Sequence, residues 1–197
     1  VIGYDNGIIS IHNNLSNKIS KNFNIFKDKT PIENIIFYKD NIIIASNRDN
    51  IIILDLLQNI VLSKVATPNL ESLYMDNEKI FYTSYNNEIF LIDLNNILIP
   101  KKEKIDTFDK KIISVKTIKN TNLIYVSTSS IIFTIDLVTK DKQVIYNNYE
   151  EIYSIELDSE NGIYIAHTDG VDFIKYSLDK KNTNNSNSSS EIQEKED

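Results

Sequence analysis

A unit of about forty residues recurs along this chain, and no other feature restricts its fold as much. Ile8-Ile9-Ser10-Ile11-His12 aligns with Ile51-Ile52-Ile53-Leu54-Asp55 and with Ile89-Phe90-Leu91-Ile92-Asp93. Ile132-Phe133-Thr134-Ile135-Asp136 and Val171-Asp172-Phe173-Ile174-Lys175 complete the column. The steps between these runs are 43, 38, 43 and 39 residues. Before each run stand a polar turn and another apolar run. Ile42-Ile43-Ile44 precedes Asn47-Arg48-Asp49-Asn50, and Ile80-Phe81-Tyr82 precedes Tyr85-Asn86-Asn87-Glu88. Leu123–Val126 precedes Ser127–Ser130, and Ile163-Tyr164-Ile165 precedes His167-Thr168-Asp169-Gly170. Asn, Asp, Gly and Ser tolerate positive φ or cap turns with their own side chains, so each pair reads as a hairpin.

A third run lies upstream of each hairpin: Ile32–Phe37, Leu70–Met75, Ile112–Ile118 and Ile152–Leu157. A fourth lies downstream: Ile19–Ile25, Ile60–Val65, Ile105–Phe108 and Gln143–Tyr146. Each unit therefore predicts a four-stranded antiparallel meander with strands A, B, C and D. No stretch of ten residues has a helical period. The 36 Ile against only 3 Ala lean the same way, because β-branched residues suit strands and Ala suits helices. A/T-rich codons account for part of that excess. The central runs, such as Ile51–Leu54, do not alternate with polar residues. A sheet with one wet face would alternate; a sheet covered on both faces would not. Short sheets stacked face against face in a propeller meet that condition.

The period, the four strands and the Asp that ends strand C resemble the WD-repeat β-propeller family over residues 1–178. Leu54-Asp55, Ile92-Asp93 and Ile135-Asp136 stand where that family's Trp-Asp pair ends strand C. Asp5-Asn6-Gly7 and Asp169-Gly170 stand where it often has Asp-Gly. The chain has no Trp, lacks the Gly-His pair between strands D and A, and carries His12 and Lys175 in place of the first and last Asp. The family's Asp–His network therefore cannot form in its usual way. The expected fold is all-β: a propeller of four-stranded antiparallel blades. The first unit holds B, C and D and the last A, B and C, so about four and a half blades are present. The expectation is a part of a larger propeller, completed in cis or by a partner chain. Residues 179–197, rich in Asn, Ser and charge, read as a disordered tail or an insertion within a blade. Asn95–Lys104 reads as a lengthened C–D loop.

The charge of the 197 residues is −7, with 21 basic and 28 acidic side chains. A nucleic-acid binder usually has a basic stripe, and Arg48 is the one arginine, so no nucleic-acid partner is expected. No Cys and two His argue against a metal site. The apolar runs are too short to span a bilayer, and no membrane partner is expected. No phosphate loop, Gly-x-Ser-x-Gly elbow or zinc helix occurs, so neither a cofactor nor catalysis is expected. Asp55, Asp93 and Asp136 fall one per blade and read as acceptors for turn N–H groups rather than as paired catalytic carboxylates.

Tyr4, Asn47, Tyr85, Ser127 and His167 hold similar places at the B–C turns, and Arg48 follows Asn47. In the resembled family such loops are common docking surfaces, and Tyr and Arg are enriched in binding hot spots. Tyr4, Arg48, Tyr85 and His167 are therefore the candidate contacts of a non-catalytic scaffold that docks proteins or peptides. The alternatives are a propeller within a larger enzyme whose catalytic residues lie elsewhere, or an architectural subunit. The absence of Cys suits the cytoplasm or nucleus and establishes neither.

Overall fold

The computed structural model describes residues 1–13, 18–118, 121–147, 150–158 and 162–175. They form five antiparallel sheets, with no helix among the described residues. Sheet 1 holds β1 (Ile2–Gly3), β2 (Ile8–Asn13) and β3 (Lys18–Asn24). Sheet 2 holds β4 (Asn34–Lys39), β5 (Ile42–Ser46), β6 (Asn50–Asp55) and β7 (Ile60–Ala66). Sheet 3 holds β8 (Leu70–Asp76), β9 (Lys79–Ser84), β10 (Glu88–Asp93) and β11 (Lys101–Thr107). Sheet 4 holds β12 (Ile112–Thr117), β13 (Leu123–Thr128), β14 (Ile131–Asp136) and β15 (Lys142–Asn147). Sheet 5 holds β16 (Ile152–Asp158), β17 (Gly162–His167) and β18 (Gly170–Lys175). Within each sheet the strands follow chain order, as the meander reading requires.

One boundary needs correction. Asn95–Lys104 is not loop throughout: β11 begins at Lys101, and Lys101–Lys104 pair with Asp93–Phe90. An outermost strand needs no apolar run, because it is exposed along most of its length. Residues 176–197, which hold the expected end of the blades and the low-complexity segment, lie outside the described residues.

Successive side chains of a strand point to opposite faces. Along the central strands those faces feed different cores. Ile43 and Ala45 pack with Ile9 and Phe23 of sheet 1, whereas Ile44 packs with Leu70, Ile80 and Tyr82 of sheet 3. In β9, Ile80 and Tyr82 turn to sheet 2 and Phe81 turns to Ile112, Val115 and Val126 of sheet 4. In β13, Ile124 and Val126 face sheet 3, and Tyr125 packs with Ile152, Ile155 and Ile165 of sheet 5. Four cores thus lie between five sheets, which is why runs such as Ile42–Ile44 and Ile51–Leu54 have no polar member. Each Ile hidden this way contributes about 1.5–3 kcal/mol.

The turns use the chain's asparagines. Of six non-glycine residues with positive φ among those described, four are Asn: Asn59, Asn69, Asn77 and Asn87. Asn tolerates the left-handed region better than most residues. The Asp at the end of strand C caps the turn that follows. Asp55 Oδ1 accepts from the N–H groups of Leu57 and Gln58, both at 2.8 Å. Asp93 Oδ1 accepts from Asn95 N–H at 2.8 Å, and Asp136 Oδ1 from Val138 N–H at 2.7 Å.

Strands β8, β12 and β16 are innermost. β12 touches both of the others, and they frame an axial groove of about 460 Å³. Lys116 and Glu156 close across it at 2.6 Å. Strands β3, β7, β11 and β15 form the outer wall.

Candidate functional site: the rim of B–C turns

The B–C turns and D–A crossovers meet on one rim, and main-chain atoms join them. Ile32 N–H donates to Tyr4 O at 3.1 Å, Leu70 N–H to Arg48 O at 2.7 Å, and Ile152 N–H to Ser129 O at 2.8 Å. In all three junctions a B–C turn carbonyl holds the first apolar residue entering the next sheet. The backbone makes these bonds without the side chains of Tyr4 and Arg48.

Arg48 reaches across the junction between sheets 2 and 3. Its side chain is 67% exposed, and its Nε–H donates to Glu33 Oε1 at 3.0 Å. Its guanidinium lies 5.8 Å from the centre of the Tyr85 ring, within cation–π range. The Glu33 hydrogen bond, and then the Tyr85 hydroxyl, hold Arg48 further toward its charged form. Tyr85 is 53% exposed. Beyond it Lys111 pairs with Glu71 Oε1 at 2.7 Å, and Lys110 donates to Ser130 Oγ at 2.6 Å. A recess of about 260 Å³ opens beside Arg48, lined also by Thr30, Pro31 and Asp49.

The other residues of the column are placed differently. Asn47 is buried and serves its own turn: Oδ1 accepts from Asn50 N–H at 2.7 Å and Asp49 N–H at 3.0 Å. Its Nδ2 donates to Thr30 Oγ1 at 2.5 Å. Ser127 is buried too. Tyr4 is exposed on the first sheet, with its hydroxyl 3.5 Å from His12 Nε2. His167 shares the rim but its ring is enclosed, with 7% of the side chain exposed. Nδ1 contacts Glu150 Oε2, and Nε2 lies 3.4 Å from Asp172 Oδ1. Tyr146 of sheet 4 donates to the other Asp172 oxygen at 2.7 Å. The hydrogen bond with Asp169 raises the Glu150 carboxyl above its ordinary range, against the pull of His167. The structure thus unites Arg48 with Tyr85 and leaves Tyr4 and His167 apart in the first and last sheets.

No family model and no curated protein matches the chain. Solved structures do. A chain of the mitotic checkpoint complex superposes with a TM-score of 0.67 at 14% identity, over 89% of this chain and 56% of that one. Hsv2 of Kluyvelomyces marxianus gives 0.66 at 11% identity, over 92% and 57%. The N-terminal domain of Nup159 gives 0.52 at 12% identity, over 76% and 45%. This chain has the fold of a WD-repeat-like β-propeller. It spans just over half the length of the first two matched chains.

Some propeller residues of the rim escaped the sequence reading. Glu33 and Glu71 each receive a rim cation, yet neither stands in a B–C turn. Each follows the apolar residue, Ile32 or Leu70, that a B–C turn carbonyl holds at the entry to the next sheet. In the repeat the entries to strand A form a column of their own, and Glu33 and Glu71 share one place in it. Glu150 lies in a third crossover. Together with His167 and Asp172 it forms a polar network in a propeller that lacks the family's Gly-His pair.

Proposed function

We propose that this propeller is a non-catalytic interaction module that docks a protein or peptide on its rim, with Tyr4, Arg48 and Tyr85 as contacts and His167 fixing the adjoining turn. One observation carries the reading: an exposed tyrosine and an exposed arginine stack across a blade junction that a backbone hydrogen bond and a buried core already hold without them. These residue types concentrate binding energy because they offer large contact area at low entropy cost. The matched structures support it to the extent that one is a subunit of a protein complex.

The test is capture of partners by the full-length protein, followed by titration of the captured partner. Tyr85→Ala is expected to weaken binding about thirtyfold, the loss typical of a hot-spot residue, and Arg48→Ala about tenfold. Equal affinity in both variants, or a substrate turned over by the purified protein, would overturn the reading.

A second reading concerns the last sheet. Tyr164, Val171 and Phe173 are 45%, 68% and 47% exposed on one face. The repeat aligns them with Phe81, Ile89 and Leu91, which are buried against the following blade. A face of this composition suits further blades, supplied in cis or by a partner chain.

A further inference from the structure

The outer wall carries a second surface, distinct from the rim. Outermost strands leave N–H and C=O groups unpaired, and natural sheets guard such edges with charge. β11 does so with Lys101, Lys102, Glu103 and Lys104. β7 does not: its sequence is Ile60-Val61-Leu62-Ser63-Lys64-Val65-Ala66, with a single charged residue.

Register identifies which β7 groups face outward. Thr67 N–H donates to Asp49 O at 2.7 Å, and Ala66 pairs with Asn50, Val65 with Ile51 and Lys64 with Ile52. Hydrogen-bonded pairs alternate along an antiparallel ladder. Val65 therefore bonds to β6, while the backbone groups of Lys64 and Ala66 point away from it. Lys102 Nζ already donates to Ala66 O at 2.8 Å, so this acceptor does face outward. Beside it the C–D loop of sheet 3 lays Leu98 and Ile99, 60% and 72% exposed. With Val65, Ala66, Pro100 and Lys102 they line a groove of about 420 Å³.

We propose that this groove takes an extended peptide as a fifth strand on β7. Its backbone pairs with Lys64 and Ala66, its apolar residues lie on Leu98 and Ile99, and an acidic residue meets Lys64 or Lys102. Main-chain pairing supplies affinity and the apolar shelf supplies selectivity, as in other strand-addition sites.

Selection from a random dodecapeptide phage library against the full chain tests this. An apolar, acid-containing consensus is expected. Lys64→Pro should weaken the selected peptides at least tenfold, because it removes the outward donor while sparing every bond to β6. Leu98→Ser/Ile99→Ser should weaken them comparably, and Tyr85→Ala should leave them unchanged, separating this site from the rim. Should Lys64→Pro unfold, amide exchange of wild-type Lys64 and Ala66 is read instead; at least tenfold slowing with bound peptide is expected. No enriched consensus, undiminished binding to a folded Lys64→Pro, or unchanged exchange overturns the proposal. So does flotation with phosphatidylserine vesicles lost in Leu98→Ser/Ile99→Ser but kept in Lys64→Pro, which would assign the loop to a lipid surface.

Discussion

Replacing Phe81 by alanine is expected to cost about 4 kcal/mol of folding stability, the usual penalty for emptying a closed core of an aromatic ring. Phe81 is 1% exposed and packs with Ile112, Val115 and Val126 of the next sheet. Tyr164 occupies the same column of the repeat in sheet 5 but is 45% exposed. Tyr164→Ala should therefore cost less than about 1 kcal/mol, within the range of surface changes. Urea unfolding of the two variants beside the wild type reads both numbers. Equal losses would contradict face-to-face stacking as the source of the difference in burial between the two positions.

Gly7→Ala is expected to cost about 3 kcal/mol. Gly7 has a φ of +78°, where an L side chain costs about 1–2 kcal/mol. A Cβ there would also lie 2.5 Å from the Phe26 carbonyl oxygen, which as backbone cannot swing aside. The turn that would have to open also holds strand β3, because Ile25 N–H and Phe26 N–H both donate to Gly7 O. Gly170 is the control. It has a positive φ of +148°, but a Cβ would meet nothing within 4 Å. Gly170→Ala should cost about 1 kcal/mol, from backbone strain alone. A shift in urea midpoint for Gly7→Ala no larger than for Gly170→Ala would show that the Phe26 contact yields.

The strands legible in the sequence were those that bury both faces. Ile42–Ile44 and Ile80–Tyr82 signal themselves because each residue serves a core on one side or the other. The outer strands were harder to read, and Lys101–Lys104 illustrate the reason. On an exposed edge, charge is compatible with pairing, so apolar runs underestimate the strand. The caps by Asp55, Asp93 and Asp136 were legible because an acceptor that recurs at the end of strand C has one local task. The rim was half legible. A column through the B–C turns found Arg48 and Tyr85, but composition could not reveal that one stacks on the other across a blade junction. Glu33 and Glu71 were missed because their partners, Arg48 and Lys111, are remote from them in sequence. Nor could the column tell Asn47, folded into its own turn, from its exposed neighbour Arg48. The resemblance rested on spacing rather than on Trp or Gly-His, and the architecture survives without them because packed isoleucines hold the sheets together.

The carbonyls of Tyr4, Arg48 and Ser129 have a bearing on how such a molecule can diversify. Every amino acid has a carbonyl, so the lacing at these three seams is indifferent to which residue provides it. A foreign turn of matching length and backbone course could be transplanted there while the sheets stay in alignment. Residue identity can drift at the rim while the architecture beneath stays fixed.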